Sequence, residues 1–203
     1  MNFYFVLSGT LAILTAFGVF ESFIKKSGVN RFFVALFLLV TAVLSLFGNI
    51  EIGGYGISLN LFVYAIAFIV LLTKLKSVKG ILAAFISCLI ILAFLVCYNA
   101  FDLSNFEYNF VQPYIYLALL CGCILAFICP NVSSVFCGTL LGGLIFEVAI
   151  YNINLDLGMA NLQIGGELAL TCTLLCCVSY ALFFGMKQLF VNFRLKKQSK
   201  TNN

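Results

Sequence analysis

Every cation in this chain falls into one of three clusters, and the sequence between the clusters is almost continuously apolar. Lys25, Lys26 and Arg31 form the first cluster, Lys74, Lys76 and Lys79 the second, and Lys187, Arg194, Lys196, Lys197 and Lys200 the third. Water cannot be the main solvent of such a chain. Of its 203 residues 64% are hydrophobic and 9% charged, against roughly half and a quarter in a soluble domain. A soluble fold of this size has too little interior to hide that surface. Hydrocarbon is the expected solvent, and the 23 Phe side chains are at no disadvantage there. The chain has no Trp, so an interfacial aromatic belt would be built from its nine Tyr.

A helix crosses the hydrocarbon core in about 20 residues. Seven runs meet that length, the shorter ones by borrowing flanking residues: 3–24, 32–47, 57–72, 81–98, 113–129, 132–151 and 167–190. Seven crossings place all three basic clusters on one side. The opposite side carries Glu51, Asp102, Glu107 and Asp156 in its loops and no cation. By the positive-inside rule the N-terminus is outside and the C-terminus inside. The first run has no basic residue before it and no Ala-x-Ala site after it, so it is expected to be a retained span. Glu21 and Lys25 close it as an i,i+4 pair at the inner surface. The expected fold is all-α: one polytopic transmembrane bundle over residues 1–190, with a basic cytoplasmic tail at 191–203. The tail's cations suit anionic lipid, not nucleic acid, because each basic cluster flanks an apolar span.

Two short segments resemble each other. Asn49-Ile-Glu-Ile-Gly-Gly54 and Asn161-Leu-Gln-Ile-Gly-Gly166 both lie on the outer side and both lead into an inward-running span. The spans then divide three, one, three, as in parallel-repeat transporters. Shared turn chemistry at a Gly-Gly pair accounts for the match equally simply.

Glu147 is the one acid placed well inside a long apolar run. An intramembrane carboxylate is costly and usually faces a cavity or a polar partner. Thr139, Gly143, Glu147 and Tyr151 share a helix face, and Gly138, Gly142 and Gly143 allow another helix to approach closely. No cation lies at that depth, so Glu147 is expected to be protonated, hydrogen-bonded, or holding an external cation. Glu167 opens the last span, where an acid also complements the helix dipole. Glu147 and Glu167, with Ser58 and Asn60 from the third span, form a candidate outward-facing pocket for a substrate or cation. The alternative for Asn60 is a structural hydrogen bond between helices. Thr171 and Thr173 can instead satisfy carbonyls of their own helix.

The nine Cys all lie in apolar segments, and without any His they suggest small apolar filler, not metal or redox chemistry. No phosphate-binding loop, Ser-His-Asp set or intramembrane Asp pair is present, so neither an enzyme activity nor a cofactor or metal is expected. From Gly138-x-x-x-Gly142-Gly143 through Glu147 to Ile164-Gly165-Gly166-Glu167, the last third of the chain resembles uncharacterised polytopic membrane proteins of Gram-positive, often spore-forming, bacteria. That resemblance implies a cytoplasmic-membrane location and a role in envelope development. The three-one-three count also looks like that of the sugar transporters built on parallel three-helix repeats, but Pro113 and Pro130 stand at span ends, not within helices. Two functions follow as expectations: a small permease coupled to protons or cations through Glu147, or a non-catalytic membrane scaffold or assembly factor, homo- or hetero-oligomeric and linked to sporulation.

Overall fold

The computed structural model describes residues 3–47, 49–52, 55–100, 113–156, 163–164 and 167–201. Eight helices account for most of them: α1 (Phe3–Ala16), α2 (Glu21–Ser27), α3 (Arg31–Leu44), α4 (Leu59–Leu72), α5 (Val78–Ala100), α6 (Pro113–Ile128), α7 (Val132–Asp156) and α8 (Glu167–Thr201). Three contain stretches long and apolar enough to cross a bilayer: Val78–Asn99, Val132–Ile153 and Leu168–Arg194. The shorter apolar helices α1, α3 and α4 have 14 residues each. That is about 21 Å of helix, less than the roughly 30 Å of a hydrocarbon core. α8 has no break at residue 190 and continues through the basic segment to Thr201.

The first apolar run is not one helix. It stops at Ala16, turns over Phe17–Phe20 and restarts as α2. Gly18 makes this corner, with φ of +84°, a left-handed conformation that side chains with a Cβ rarely adopt. The corner carries Glu21 to a point where its carboxylate meets Lys25 at 2.9 Å and Arg31 at 3.3 Å. Gly28, again left-handed at φ of +70°, ends α2. The Asn30 side chain then caps α3 by accepting from the Phe32 N–H at 3.0 Å.

The chain is mostly helical, and the opposite end adds a small sheet. β1 (Asn49–Ile52) pairs antiparallel with β2 (Tyr55–Ser58), and β3 (Gln163–Ile164) pairs parallel with β2. Ile52 faces Tyr55 in the first ladder, and Ile57 faces Ile164 in the second. Asn-Ile-Glu-Ile alternates polar and apolar side chains with a period of two, which suits a strand and not a helix. The two similar segments thus flank one central strand. They are followed differently: β1 leads into a second strand, whereas β3 is followed by α8.

Packing does not follow sequence order. α5 lies chiefly against α7, and α6 against α8, while weaker α7–α8 and α5–α6 contacts close a ring of four. Gly138 lies beside Ala84 and Ser87, and Gly142 beside Cys88 and Ile91, so α5 and α7 run parallel. On the other pair, Gly122 lies against Cys176, Ser179 and Tyr180. The Ser179 hydroxyl donates to the Leu119 carbonyl at 2.7 Å and the Tyr180 hydroxyl to the Cys129 carbonyl at 3.0 Å. Outside the ring, α4 packs on α7, and α1 and α3 form a hairpin that touches the rest more lightly. In the first expected triplet, α1, α3 and α4, the leading helix packs on the second. In the last expected triplet, α6, α7 and α8, it packs on the third. Edge-to-face rings fasten α2 to the ring, with Phe23 5.5 Å from Phe136 and 5.8 Å from Tyr180.

The first basic cluster meets the start of the third at one end. Lys26 of α2 donates to Gln188 of α8. Ser133, at the start of α7, donates to the Ser27 carbonyl at 2.8 Å. Lys187 reaches the Ala126 carbonyl at 3.5 Å. These contacts bring the first basic cluster, the C-terminus of α6, the N-terminus of α7 and the third cluster together. The sheet marks the other end.

Candidate functional site

Glycines set the geometry around Glu147. A Cβ added at Gly142 would stand 2.8 Å from the Cys88 carbonyl oxygen, and one at Gly138 would stand 2.7 Å from the Ser87 Cβ. Gly138 and Gly142 therefore bring α7 against α5 at backbone distance. Gly143 faces a different helix, since its added Cβ would lie 2.5 Å from the Thr173 Oγ1 of α8. Thr139, one turn before, meets Cys177 of α8 at 3.2 Å. The face expected to carry Thr139, Gly143 and Glu147 thus turns toward α8.

Glu147 continues that face one turn further toward the sheet. It is buried, 7% exposed, and it interacts with another group. With Gly143 level with Thr173, a further turn on each helix brings Glu147 level with about Ala169. α8 begins two residues beyond, at Glu167, whose side chain lies outside the described residues. Ser58 and Asn60 are both buried at the same end. The β2–β3 ladder sets Ile57 beside Ile164, next to the start of α8, and the Tyr64 hydroxyl one turn below Asn60 reaches the Leu170 carbonyl at 3.3 Å. The elements bearing the four expected residues therefore converge on the sheet end. Asn60 Oδ1 is buried without a hydrogen-bond partner, an arrangement that costs stability. The outer loop acids lie outside the described side chains.

A cavity of about 150 Å³ lies elsewhere, in the basic half of the molecule, between the α1–α3 hairpin and α4, α7 and α8. Phe23, Phe37, Leu71, Leu140 and Leu174 are among its walls, and neither Glu147, Ser58 nor Asn60 lines it. Of the four side-chain oxygens along its wall, those of Thr173, Ser27 and Tyr64 are already spent, and that of Thr15 is the fourth. Thr173 donates to the Ala169 carbonyl at 2.7 Å, Ser27 to the Ile24 carbonyl at 2.7 Å, and Tyr64 links α1 to α8 by accepting from Tyr4 at 3.1 Å. This cavity and the contact at Gly122 are not anticipated above. Gly122 had a readable signal, because Ala118, Gly122 and Ala126 repeat a small residue every fourth position.

The cysteines serve as small contact residues. Six are buried, and the Cys121 and Cys176 sulfurs touch at 3.4 Å across the α6–α8 seam. Among the described residues no group of three or more His, Cys, Asp or Glu could hold a metal ion.

Apolar spanning helices joined through glycine-to-backbone contacts, with basic residues gathered at one end, define an integral membrane protein. The chain belongs to the YphA-like integral membrane protein family, whose sequence profile it matches over residues 2–203. The match extends well beyond the last third, on which the resemblance drawn from the Gly-rich segments rested. No curated protein and no solved structure matches the chain.

Proposed function

We propose that the chain is a seven-pass protein of the cytoplasmic membrane, N-terminus outside and C-terminus inside, and that it acts as a non-enzymatic scaffold. The supporting observation is the apolar cavity. A cation entering it would meet little beyond the Thr15 hydroxyl in place of its water shell, and stripping an ion of hydration without replacement costs tens of kcal/mol in the Born limit. The α5–α7 and α6–α8 contacts are close glycine seams, as a holding element requires. Envelope assembly in spore-forming bacteria is a fitting setting, and the basic end suits anionic lipid on the inner surface.

A second reading is favoured by one observation. Glu147 is a buried carboxyl within a 22-residue apolar span, so a proton- or cation-coupled transporter remains the competing function. Proteoliposomes under an imposed pH gradient, with and without potassium, separate the two. The scaffold reading expects no protein-dependent flux, and a stoichiometric assembly after crosslinking in intact membranes. A flux that Glu147→Gln abolishes would replace it with the transporter.

A further inference from the structure

The cavity lies between two lightly joined parts of the molecule, the α1–α3 hairpin and the main bundle. On α4 its wall runs from Tyr64 to Leu71 and on α8 from Thr173 to Ala181, a length of about 10 Å along each helix axis. A dry apolar cavity of about 150 Å³ accommodates a benzene-sized group, whereas an α-helix is about 10 Å across. The space suits a short stretch of hydrocarbon chain and is too narrow for a partner helix.

Its basic end is not neutral. Phe20, Ser27, Val29 and Phe33 line the cavity there, and Lys25, Lys26 and Arg31 alternate with them in sequence. Three cations therefore stand against the single carboxylate of Glu21. Arg31 gives Nη1 to Glu21 and keeps further donors in its guanidinium fork. Lys26 lies over the Phe184 ring, 5.6 Å from its centroid, while its ammonium has donors beyond the one used on Gln188.

We propose that this cavity binds a segment of one acyl chain of an anionic phospholipid, with Lys26 and Arg31 holding the phosphate. Bilayer hydrocarbon is as apolar as the cavity wall, so the hydrophobic effect contributes little. Affinity comes from contacts that fill a void and from charge-assisted hydrogen bonds to the headgroup. The bound lipid wedges between hairpin and bundle and joins them where protein contacts are few. This inference is independent of the scaffold reading.

The test is photolabelling of the full chain in vesicles containing phosphatidylglycerol or phosphatidylcholine with a diazirine on the acyl chain. At least threefold more labelling of peptides bearing Phe37, Leu71 and Leu174 is expected with phosphatidylglycerol. Ala67→Phe, which fills the cavity, should remove that labelling. Lys26→Gln with Arg31→Gln should equalise the two lipids and leave chain labelling in place. Should Ala67→Phe fail to fold, Ala181→Phe fills the space from the opposite wall. Equal labelling by both lipids in the parent protein, labelling confined to outward residues such as Leu82 and Leu89, or labelling indifferent to the filled cavity would overturn the proposal.

Discussion

Gly142 and Cys88 are in backbone contact, so close that a single methyl group on the glycine would press to 2.8 Å from the cysteine carbonyl oxygen. Forcing extra carbon into a packed seam costs about 1–3 kcal/mol. Gly142→Val should therefore lower thermal stability in detergent or nanodiscs and loosen α5 from α7. Gly185, in α8, has nothing within 4 Å of an added Cβ. There Ala should be neutral or stabilise by up to about 1 kcal/mol, from helix propensity alone. Equal losses at both sites would refute the contact argument.

The Tyr4–Tyr64–Leu170 chain of hydrogen bonds joins α1, α4 and α8 in the interior. Tyr64→Phe removes the donor to Leu170 and the acceptor for Tyr4, at a cost of about 1–3 kcal/mol. Because the two hydroxyls share one bond, Tyr4→Phe combined with Tyr64→Phe should cost less than the sum of the single changes. A double-mutant cycle by thermal or denaturant unfolding measures the difference, and strict additivity would argue against the link.

Glu21 supplies a pH dependence of known sign. Its hydrogen bond to Lys25, then the charges of Lys25 and Arg31, hold the carboxyl below the ordinary value of 4.5. A group whose pKa is lowered on folding stabilises the fold above its unfolded value, and loses that contribution as pH falls through the folded one. The stability gap between the parent and Glu21→Gln should hold from neutrality down to the ordinary value of 4.5 and close only as pH falls through the lowered folded value. The pair is exposed, so the gap is small and should shrink further in high salt.

Gly18 should resist substitution for a reason unrelated to packing. An added Cβ would meet Arg31 and Glu21 only at ordinary distances, 3.4 and 3.5 Å. The left-handed backbone is what an alanine would strain, at a cost above about 1 kcal/mol. Gly18→Ala should destabilise the corner between α1 and α2 and raise hydrogen exchange over Phe17–Phe20. Gly9→Ala, in open space within α1, should do neither.

Apolar helices were legible because hydrocarbon demands length and composition, both of which a sequence displays. The Glu21–Lys25 pair was legible because i,i+4 spacing is local. Gly138 and Gly142 stood out by their spacing, whereas the same pattern around Gly122 is diluted by alanines. The break at Gly18 is hidden, since Ala16-Phe-Gly-Val-Phe20 is as apolar as its surroundings and only a backbone angle reveals the corner. The sheet required pairing between residues more than a hundred positions apart, as at Ile57 and Ile164. Hydropathy carries no information about which helices become neighbours, so the parallel α5–α7 and α6–α8 seams, and the space left beside Tyr64 and Leu174, emerge only in three dimensions.

The three-stranded sheet is shared between the two halves of the polypeptide. If the chain were divided between α4 and α5, one fragment would keep the hairpin with an open edge on β2, and the other would keep the short strand made to fill it. Co-expressed fragments should reassemble through that edge and the α4–α7 contact, and each should be degraded when made alone. The molecule would then be open to fragment complementation at a junction that crosses no helix.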